Sequence, residues 1–133
     1  ESTKQVVLKA VEDTKNNTGM VLTFALNYGS RAEIIEATKA LANEVQSGEI
    51  SVEDINDEAF ARKLQTSFLG ELQDPDLMIR TSGEVRLSNF LLWQLAYSEY
   101  YFTDIFWPDF SEEDLHKAIL TYQGRHRRYG GLA

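Results

Sequence analysis

Residues 74–110 carry the strongest structural signal in the chain and read DPDLMIRTSGEVRLSNFLLWQLAYSEYYFTDIFWPDF. The stretch opens with Pro75 between two aspartates, a helix breaker, and a short apolar run typical of a buried strand follows it. Arg80, Arg86 and Ser88 come next, within nine positions. An almost wholly apolar segment typical of a helix then begins. Two guanidinium groups and a hydroxyl therefore meet where a predicted strand gives way to a predicted helix, which suits the binding of a phosphate group.

The composition is that of a globular domain that binds small anions rather than nucleic acid. The chain has 133 residues, 43% of them hydrophobic, and we expect residues 1–133 to form a single α/β domain. The formal net charge is -8 and the pI about 4.7. A large nucleic-acid footprint needs broad positive charge, so the composition argues against a nucleic-acid partner. The few clustered arginines indicate a small anion instead.

Several classes of protein are excluded by what the sequence lacks. There is no cysteine, which excludes a disulfide framework and a thiolate zinc site and is compatible with a cytoplasmic location. No uninterrupted apolar run approaches the roughly 20 residues that span a bilayer, and no signal peptide is visible. The chain begins at Glu1, without an initiator methionine, in what reads as a helix. We therefore expect it to be part of a longer protein.

The first half of the chain predicts alternating helices and strands. Apolar residues at helical spacing predict a helix over residues 3–15, and the continuous apolar run at residues 20–26 predicts a strand buried on both faces of a parallel sheet. Ser30 and Glu33 predict a capping box for a helix that runs through about Gln46.

The second half completes the predicted α/β pattern. Residues 51–67 predict one broken or two short helices before the strand at Leu77, and the order strand, helix, helix, strand predicts a right-handed crossover. Ser88 is predicted to cap the apolar helix, a third strand or extended segment follows over residues 100–107, and Ser111 with Asp114 predicts a final capped helix. The predicted fold class is α/β, with a parallel sheet flanked by helices.

The first candidate site is an anion site at the carboxyl end of the predicted central strand. Ligands bind beyond this edge in open α/β sheets, where a helix N-terminus adds free N–H groups. The arginine fork can hold phosphate oxygens in pairs, and a glycine lets the loop approach closely. The alternative is a solvated loop in which the arginines pair with Asp74, Asp76 or Glu84. The candidate residues are Arg80, Thr81, Ser82, Gly83, Arg86, Leu87 and Ser88.

The second candidate site is Glu99, with Asp104 nearby. A carboxylate beside a bound diphosphate could hold Mg²⁺, which takes hard oxygen ligands, although Glu99 taken alone is better explained by an ordinary ion pair at the end of a helix. On a straight helix the eleven residues from Ser88 to Glu99 would span roughly 16 Å. Either the helix bends or the ligand is shared differently, for example across a subunit interface.

Two further segments have both a functional and an ordinary structural explanation. The basic tail at residues 125–131 reads RHRRYGG. Its positive charges either interact favourably with the C-terminal end of the preceding helix dipole or reach an anion elsewhere, for example in a partner chain. The turn at residues 27–31, NYGSR, lies at the same predicted sheet edge as the arginines, and a capped strand-to-helix junction accounts for it fully. No Ser/His/Asp or Cys/His arrangement for nucleophilic catalysis is evident.

Four blocks of sequence together closely resemble the C-terminal half of the bacterial cis-prenyltransferases. They are LNYGSRAEI, the central block DPDLMIRTSGEVRLSNFLLWQLAYSEYYF, WPDF and RHRRYGG. The resemblance extends over nearly the whole chain, and the central block is long and specific. It implies the C-terminal half of the cis-prenyltransferase fold.

The resemblance also implies an activity and a role for individual residues. Members of this family condense farnesyl diphosphate with successive isopentenyl diphosphates to form cis double bonds, which gives undecaprenyl diphosphate, the lipid carrier of cell-wall precursors. By resemblance, Glu99 would be a Mg²⁺ ligand, and the Arg-x-Gly element at Arg128 and Gly130 would reach the neighbouring active site of a homodimer. Contact with the membrane surface would follow from the lipid product. The residues implied to bind the diphosphate of isopentenyl diphosphate are Arg80, Arg86, Leu87 and Ser88.

The chain departs from the family pattern at its front. The family's Asp-Gly-Asn-Gly-Arg-Trp-Ala motif, which carries the other Mg²⁺-binding aspartate and much of the allylic diphosphate site, does not occur here. By resemblance, the chain alone would hold at most half an active site and no catalytic residue. We expect it to be catalytically silent by itself. A non-catalytic partner subunit and a generic phosphate-binding α/β module are the two alternative functions, and the retention of Arg80, Arg86, Ser88 and Glu99 together argues against the first.

Overall fold

The computed structural model describes residues 2–125, which form four α-helices and a two-stranded sheet in the order α1, α2, α3, β1, β2, α4. The α/β class expected from the sequence is confirmed, as are the predicted helix at the front of the chain and the broken helical segment near residues 51–67. The bounds of the helices and strands are α1 Ser2–Thr14, α2 Ser30–Ser47, α3 Asp57–Ala61, β1 Leu77–Arg80, β2 Glu99–Phe102 and α4 Glu112–Gln123. Short 3-10 turns lie at Val52–Asp54, Ser67–Leu72 and Trp107–Asp109.

The sheet consists of β1 and β2, which pair in parallel. The register runs from Leu77 opposite Glu99 to Arg80 opposite Phe102. Beyond the strands, the Thr103 amide continues the ladder by donating to the Arg80 carbonyl at 3.0 Å. The carboxyl edge of the sheet therefore holds Arg80, and its amino edge holds Glu99. The third predicted strand is confirmed as β2, although it begins at Glu99 and is only four residues long.

The start of α4 confirms the predicted capping box. The Ser111 hydroxyl accepts from the Asp114 amide at 3.3 Å, and the Asp114 carboxylate accepts from the Ser111 amide at 3.1 Å. The hydrogen bonds from Ser111, followed by that from Lys117, lower the pKa of Asp114 to about 2. This helix start is determined locally, because both partners lie within one turn.

The capping box predicted at Ser30 and Glu33 is wrong. Gly29 is the residue that precedes α2, and both predicted capping side chains are buried instead. The Ser30 hydroxyl accepts from the Leu92 amide at 2.9 Å, and Glu33 accepts from the Gln65 amide at 2.8 Å. The Ser-x-x-Glu spacing is the same whether the two side chains serve their own helix or distant segments, so the sequence could not separate the two cases.

The strand predicted at residues 20–26 is also wrong. These residues have no regular secondary structure, and their large apolar side chains are 60–86% exposed. Within residues 2–125, no backbone hydrogen bond involves residues 18–28. A strand exists only through pairing with a neighbour, and β1 and β2 pair with each other. Since the predicted crossover began at this strand, the crossover is wrong as well.

The apolar helix predicted from Ser88 is replaced by a run of turns. The φ angles of Ser88, Asn89 and Leu91 are 51°, 64° and 45°, in the left-handed region that a right-handed helix excludes. The segment is nevertheless packed, since Gln94 and Leu95 are 2% and 1% exposed. The helical separation of Ser88 and Glu99 considered above therefore does not apply.

The core lies between α2, the α3 region and the turns after residue 88. Leu64 and Leu95 are its largest fully buried apolar side chains, whereas Phe68 is 67% exposed. Helix α1 contributes no buried residue. No helix within residues 2–125 is long and apolar enough to cross a membrane. The buried apolar residues are Ala37, Leu41, Ala59, Leu64, Met78, Leu95 and Ala118.

Candidate anion and metal site

The loop that follows β1 at the carboxyl edge of the sheet is fixed by backbone hydrogen bonds. The Ser82 amide donates to the Ile105 carbonyl at 2.8 Å, and the Gly83 amide donates to the Thr103 carbonyl at 3.0 Å. Ser82 and Gly83 both have φ near 68°, so the chain reverses sharply here. A Cβ atom at Gly83 would lie 3.1 Å from the Asp104 carboxylate. The glycine thus allows the loop to pack closely on the segment after β2.

The structure brings Arg80 and Ser88 together at this edge. One terminal guanidinium nitrogen of Arg80 donates to the Ser88 hydroxyl at 3.5 Å, a long hydrogen bond that leaves both groups able to take other partners. Arg80 is half-buried and Ser88 is exposed. A guanidinium and a hydroxyl that converge on an open surface can bind two oxygens of one phosphate group.

Arg86 lies on the same loop but is engaged differently. It forms an ion pair with Glu84, and its side chain is 65% exposed. The alternative raised from the sequence, that the loop arginines pair with nearby carboxylates, is thus confirmed for Arg86. Exposed ion pairs stabilise by only about 0 to 1 kcal/mol, so an incoming diphosphate can replace Glu84 at little cost. Leu87, between Arg86 and Ser88, is half-buried.

Glu99 does not lie beside the arginine loop. It pairs with Leu77 at the amino edge of the sheet, three strand residues or about 10 Å from Arg80, and the alternation of side chains places it on the opposite face. Arg125 donates to the Glu99 carboxylate at 2.7 Å and to the Tyr100 carbonyl at 2.8 Å. Glu99 therefore has a cationic partner within its own chain.

The carboxylates offer no self-contained metal site. In the part of the chain that the structure describes, no three His, Cys, Asp or Glu side chains are grouped so that they could hold a metal ion. Mg²⁺ is nevertheless commonly held by one or two carboxylates, with water and substrate phosphates as the remaining ligands. Glu99, whose side chain is 25% exposed, fits the role of one such ligand.

Comparison with known proteins identifies the family. The sequence model of a family described as putative undecaprenyl diphosphate synthase matches residues 1–130. The chain belongs to this prenyltransferase family. It is 58% identical over 132 residues to an isoprenyl transferase from Halalkalibacterium halodurans and 56% identical over 133 residues to one from Streptococcus thermophilus. The matches cover 99% of this chain in both cases but 50% and 53% of the relatives, so the chain spans about half the length of these prenyltransferases.

Solved prenyltransferase structures resemble the chain in fold. A lavandulyl diphosphate synthase from Lavandula x intermedia, in complex with dimethylallyl diphosphate, superposes with a TM-score of 0.91 at 39% identity and covers 96% of this chain and 53% of its own. A probable undecaprenyl diphosphate synthase from Campylobacter jejuni superposes with a TM-score of 0.77 at 30% identity, covering 98% and 57%. The resemblance deduced from the four sequence blocks is confirmed at the level of the family.

Arg128 and Gly130 lie outside the described residues. A cavity of about 680 Å³ lies away from the arginine loop and is lined by Asp57, Trp93 and Ser98, among other residues. None of the predicted diphosphate ligands lines this cavity.

Sequence reasoning missed a buried polar network beneath the 27–31 turn. The Glu33 carboxylate is 2% exposed and accepts hydrogen bonds from the Tyr28 hydroxyl, the Gln65 amide and the side-chain amide of Gln94. The same Gln94 nitrogen donates to the Thr66 hydroxyl at 3.0 Å. The network joins α2 to two distant segments, and no local pattern in the sequence marks these residues as partners.

The network predicts a loss of stability in alkali. Burial, followed by the hydrogen bond to Glu33, raises the pKa of Tyr28 from 10.0 to about 12. The folded state therefore holds this proton more tightly than the unfolded state, and the stabilisation is complete below pH 10 and lost as the pH rises through 12. We expect the free energy of unfolding, measured by urea titration, to fall between these pH values. The fall should be much smaller in Tyr28→Phe, and an equal fall in that variant would contradict the assignment.

Proposed function

We propose that this chain provides the isopentenyl diphosphate site of a cis-prenyltransferase. The enzyme would condense farnesyl diphosphate with successive isopentenyl diphosphates to make undecaprenyl diphosphate, the lipid carrier of cell-wall synthesis. The observation that carries the proposal is the convergence of Arg80 and Ser88 at the carboxyl edge of a parallel strand pair. A cytoplasmic location, with membrane contact through the lipid product, belongs to the same proposal.

In this proposal the residues of the loop bind and orient the diphosphate. The planar guanidinium of Arg80 donates in pairs to phosphate oxygens, the Ser88 hydroxyl adds a further donor, and Arg86 turns from Glu84 to the anion. The loop is held by backbone hydrogen bonds, so little entropy is lost when the diphosphate binds. Anchoring the charged end in this way leaves the five-carbon end free to meet the second substrate.

We further propose that Glu99 contributes to a Mg²⁺ site. Bound Mg²⁺ would neutralise diphosphate charge and stabilise diphosphate as a leaving group. Because Glu99 and Arg80 lie at opposite ends of the strand pair, Glu99 would serve a diphosphate bound by another polypeptide, which favours a homodimer. In the same dimer, Arg128 and Gly130 would reach the partner's site.

Arg125 is predicted to compete with a metal ion for Glu99. Arg125→Gln removes the charge that occupies the carboxylate while keeping a donor for the Tyr100 carbonyl. The pair is partly exposed, so we expect Mn²⁺ to bind about threefold to fivefold more tightly in the presence of inorganic diphosphate, as measured by electron paramagnetic resonance. Arg62→Gln, which breaks an exposed Arg–Glu pair elsewhere, is the control. Unchanged Mn²⁺ affinity in Arg125→Gln would mean that Glu99 is not a metal ligand or that Arg125 does not compete with the metal ion for its carboxylate.

The proposed function is tested by ligand selectivity. The purified 133-residue chain should bind isopentenyl diphosphate with Mg²⁺ more tightly than inorganic phosphate or nucleotides in calorimetric titrations. Preference for nucleotides would favour a generic phosphate-binding module, the main alternative.

The chain by itself is predicted to be catalytically silent. Its sequence lacks the aspartate motif associated with the allylic diphosphate. Radiolabelled isopentenyl diphosphate, incubated with farnesyl diphosphate, Mg²⁺ and the purified chain, should give no extended product. Incorporation above that of a heat-denatured sample would show that half the family's length is sufficient for turnover.

A further inference from the structure

The turn that carries Ser88 is fastened to the start of α2 by three hydrogen bonds. The Asn89 carbonyl accepts from the Ser30 amide at 2.9 Å, and the Asn89 side-chain oxygen accepts from the Arg31 amide at 2.9 Å. The Leu92 amide donates to the Ser30 hydroxyl, also at 2.9 Å. Ser30 is completely buried. These contacts satisfy amide groups at the first turn of α2, and they join segments about 60 residues apart in the sequence.

Gly29 provides the space for this junction. A Cβ atom at Gly29 would lie 2.9 Å from the side-chain nitrogen of Asn89. The φ angle of Gly29 is -156°, ordinary extended backbone that any residue adopts. The glycine therefore leaves room for the Asn89 side chain, which a Cβ atom would force to shift, and is not needed for its own backbone conformation.

The junction accounts for the backbone at Ser88. Ser88 and Asn89 both have positive φ. Asparagine tolerates this left-handed conformation, but serine adopts it rarely and keeps it only when surrounding contacts enforce it. The hydrogen bonds of Asn89 to Ser30 and Arg31 are such contacts. They hold the backbone at Ser88 in the position from which its hydroxyl accepts the long hydrogen bond from Arg80. Loss of the Asn89 side chain would remove the bond to Arg31 and so weaken the restraint that holds Ser88 towards Arg80.

We propose that Asn89 is a positioning residue for the diphosphate site and that Gly29, which has no side chain, leaves room for the Asn89 side chain. Asn89 points its side chain at the start of α2 and holds the adjacent Ser88 towards Arg80. The inference rests on the proposed function, because it assigns a purpose to the placement of Ser88.

The test measures the affinity of the 133-residue chain for isopentenyl diphosphate by calorimetry. Asn89→Gly keeps the left-handed backbone but removes the side chain, and Gly29→Ala displaces that side chain. Each should weaken binding about tenfold, which corresponds to the loss of one well-placed charge-assisted hydrogen bond. The double variant should bind no more weakly than Asn89→Gly alone, because the alanine has nothing left to displace. Gly19→Ala, where a Cβ atom meets nothing within 4 Å, is the control and should bind like the unaltered chain.

A second comparison separates positioning from general damage to the fold. Ser88→Ala should weaken binding at least tenfold in the unaltered chain but less than about twofold in the Asn89→Gly background, where Ser88 is already misplaced. Equal losses in both backgrounds, or unchanged affinity in Asn89→Gly, would overturn the positioning role. If Arg80→Ala fails to affect binding as well, the proposed diphosphate site itself is wrong, and that result is distinct from failure of the positioning role alone.

Discussion

Replacing Glu33 by alanine is expected to lower the free energy of unfolding by about 3 kcal/mol, since each buried polar group left without a partner costs about 1 to 3 kcal/mol. Glu33 is 2% exposed and accepts from Tyr28, Gln65 and Gln94. Its removal deprives these donors of their shared acceptor and opens a cavity between α2 and the segments they belong to. Part of the loss is offset because Gln94 keeps its bond to Thr66.

Two control variants sharpen this prediction. Glu33→Gln preserves the shape and one acceptor, and it should cost about 1 kcal/mol, in the range of a single hydrogen bond. Glu36→Ala lies on the same helix but removes only an exposed pair with Lys39, and it should change stability by less than about 0.5 kcal/mol. Urea denaturation followed by circular dichroism measures all three. Similar losses for Glu33→Ala and Glu36→Ala would mean that the buried network contributes no stability of its own.

Replacing Arg80 by alanine is expected to weaken the binding of isopentenyl diphosphate by about 10-fold to 100-fold, because hydrogen bonds to charged groups contribute roughly 1.5 to 3 kcal/mol. Arg80 is the last residue of β1, half-buried, and anchored by the sheet, so its guanidinium is already ordered before the ligand arrives. Arg80→Lys should recover only part of the affinity, because an ammonium group cannot donate in the paired geometry of the guanidinium.

The effect of Arg86→Ala should be smaller than that of Arg80→Ala. Arg86 is exposed and must leave Glu84 to reach the ligand, so part of its interaction energy is offset. Arg62→Ala, on an exposed surface of the α3 region, removes the same charge elsewhere and should leave the affinity within about twofold of the unaltered chain. Calorimetric titration of the variants in parallel is the measurement. If Arg62→Ala weakens binding as much as Arg80→Ala does, the ligand is responding to net charge and not to a site.

Features specified within a few residues of sequence were predicted well. The capping box of α4 forms as expected because Ser111 and Asp114 lie within one helical turn of each other. The strand at Leu77 follows a breaker, and its Met78 is buried as an apolar strand position should be. The family itself was recognised from four sequence blocks, of which the central one is the longest, because long and specific blocks identify relatives whether or not their local structure is predicted correctly.

Features that depend on distant partners were not predicted. The apolar run at residues 20–26 has strand composition, but a strand also needs a neighbour to pair with. The run after Ser88 has helical composition, yet Asn89 bonds to the start of α2 and the backbone takes left-handed turns. In both cases tertiary contacts, or their absence, outweigh local preferences that amount to only tenths of a kcal/mol per residue.

The α/β class, the prenyltransferase family and the residue types that suit a diphosphate could all be predicted from the amino-acid sequence. The arrangement of those residues depends on the fold. The fold joined Arg80 to Ser88 and placed Glu99 at the other end of the strand pair beside Arg125. The physical reason is that residue chemistry is a local property, whereas strand register and the hydrogen bonds of Asn89 and Glu33 join segments that are 20 to 60 residues apart in the chain.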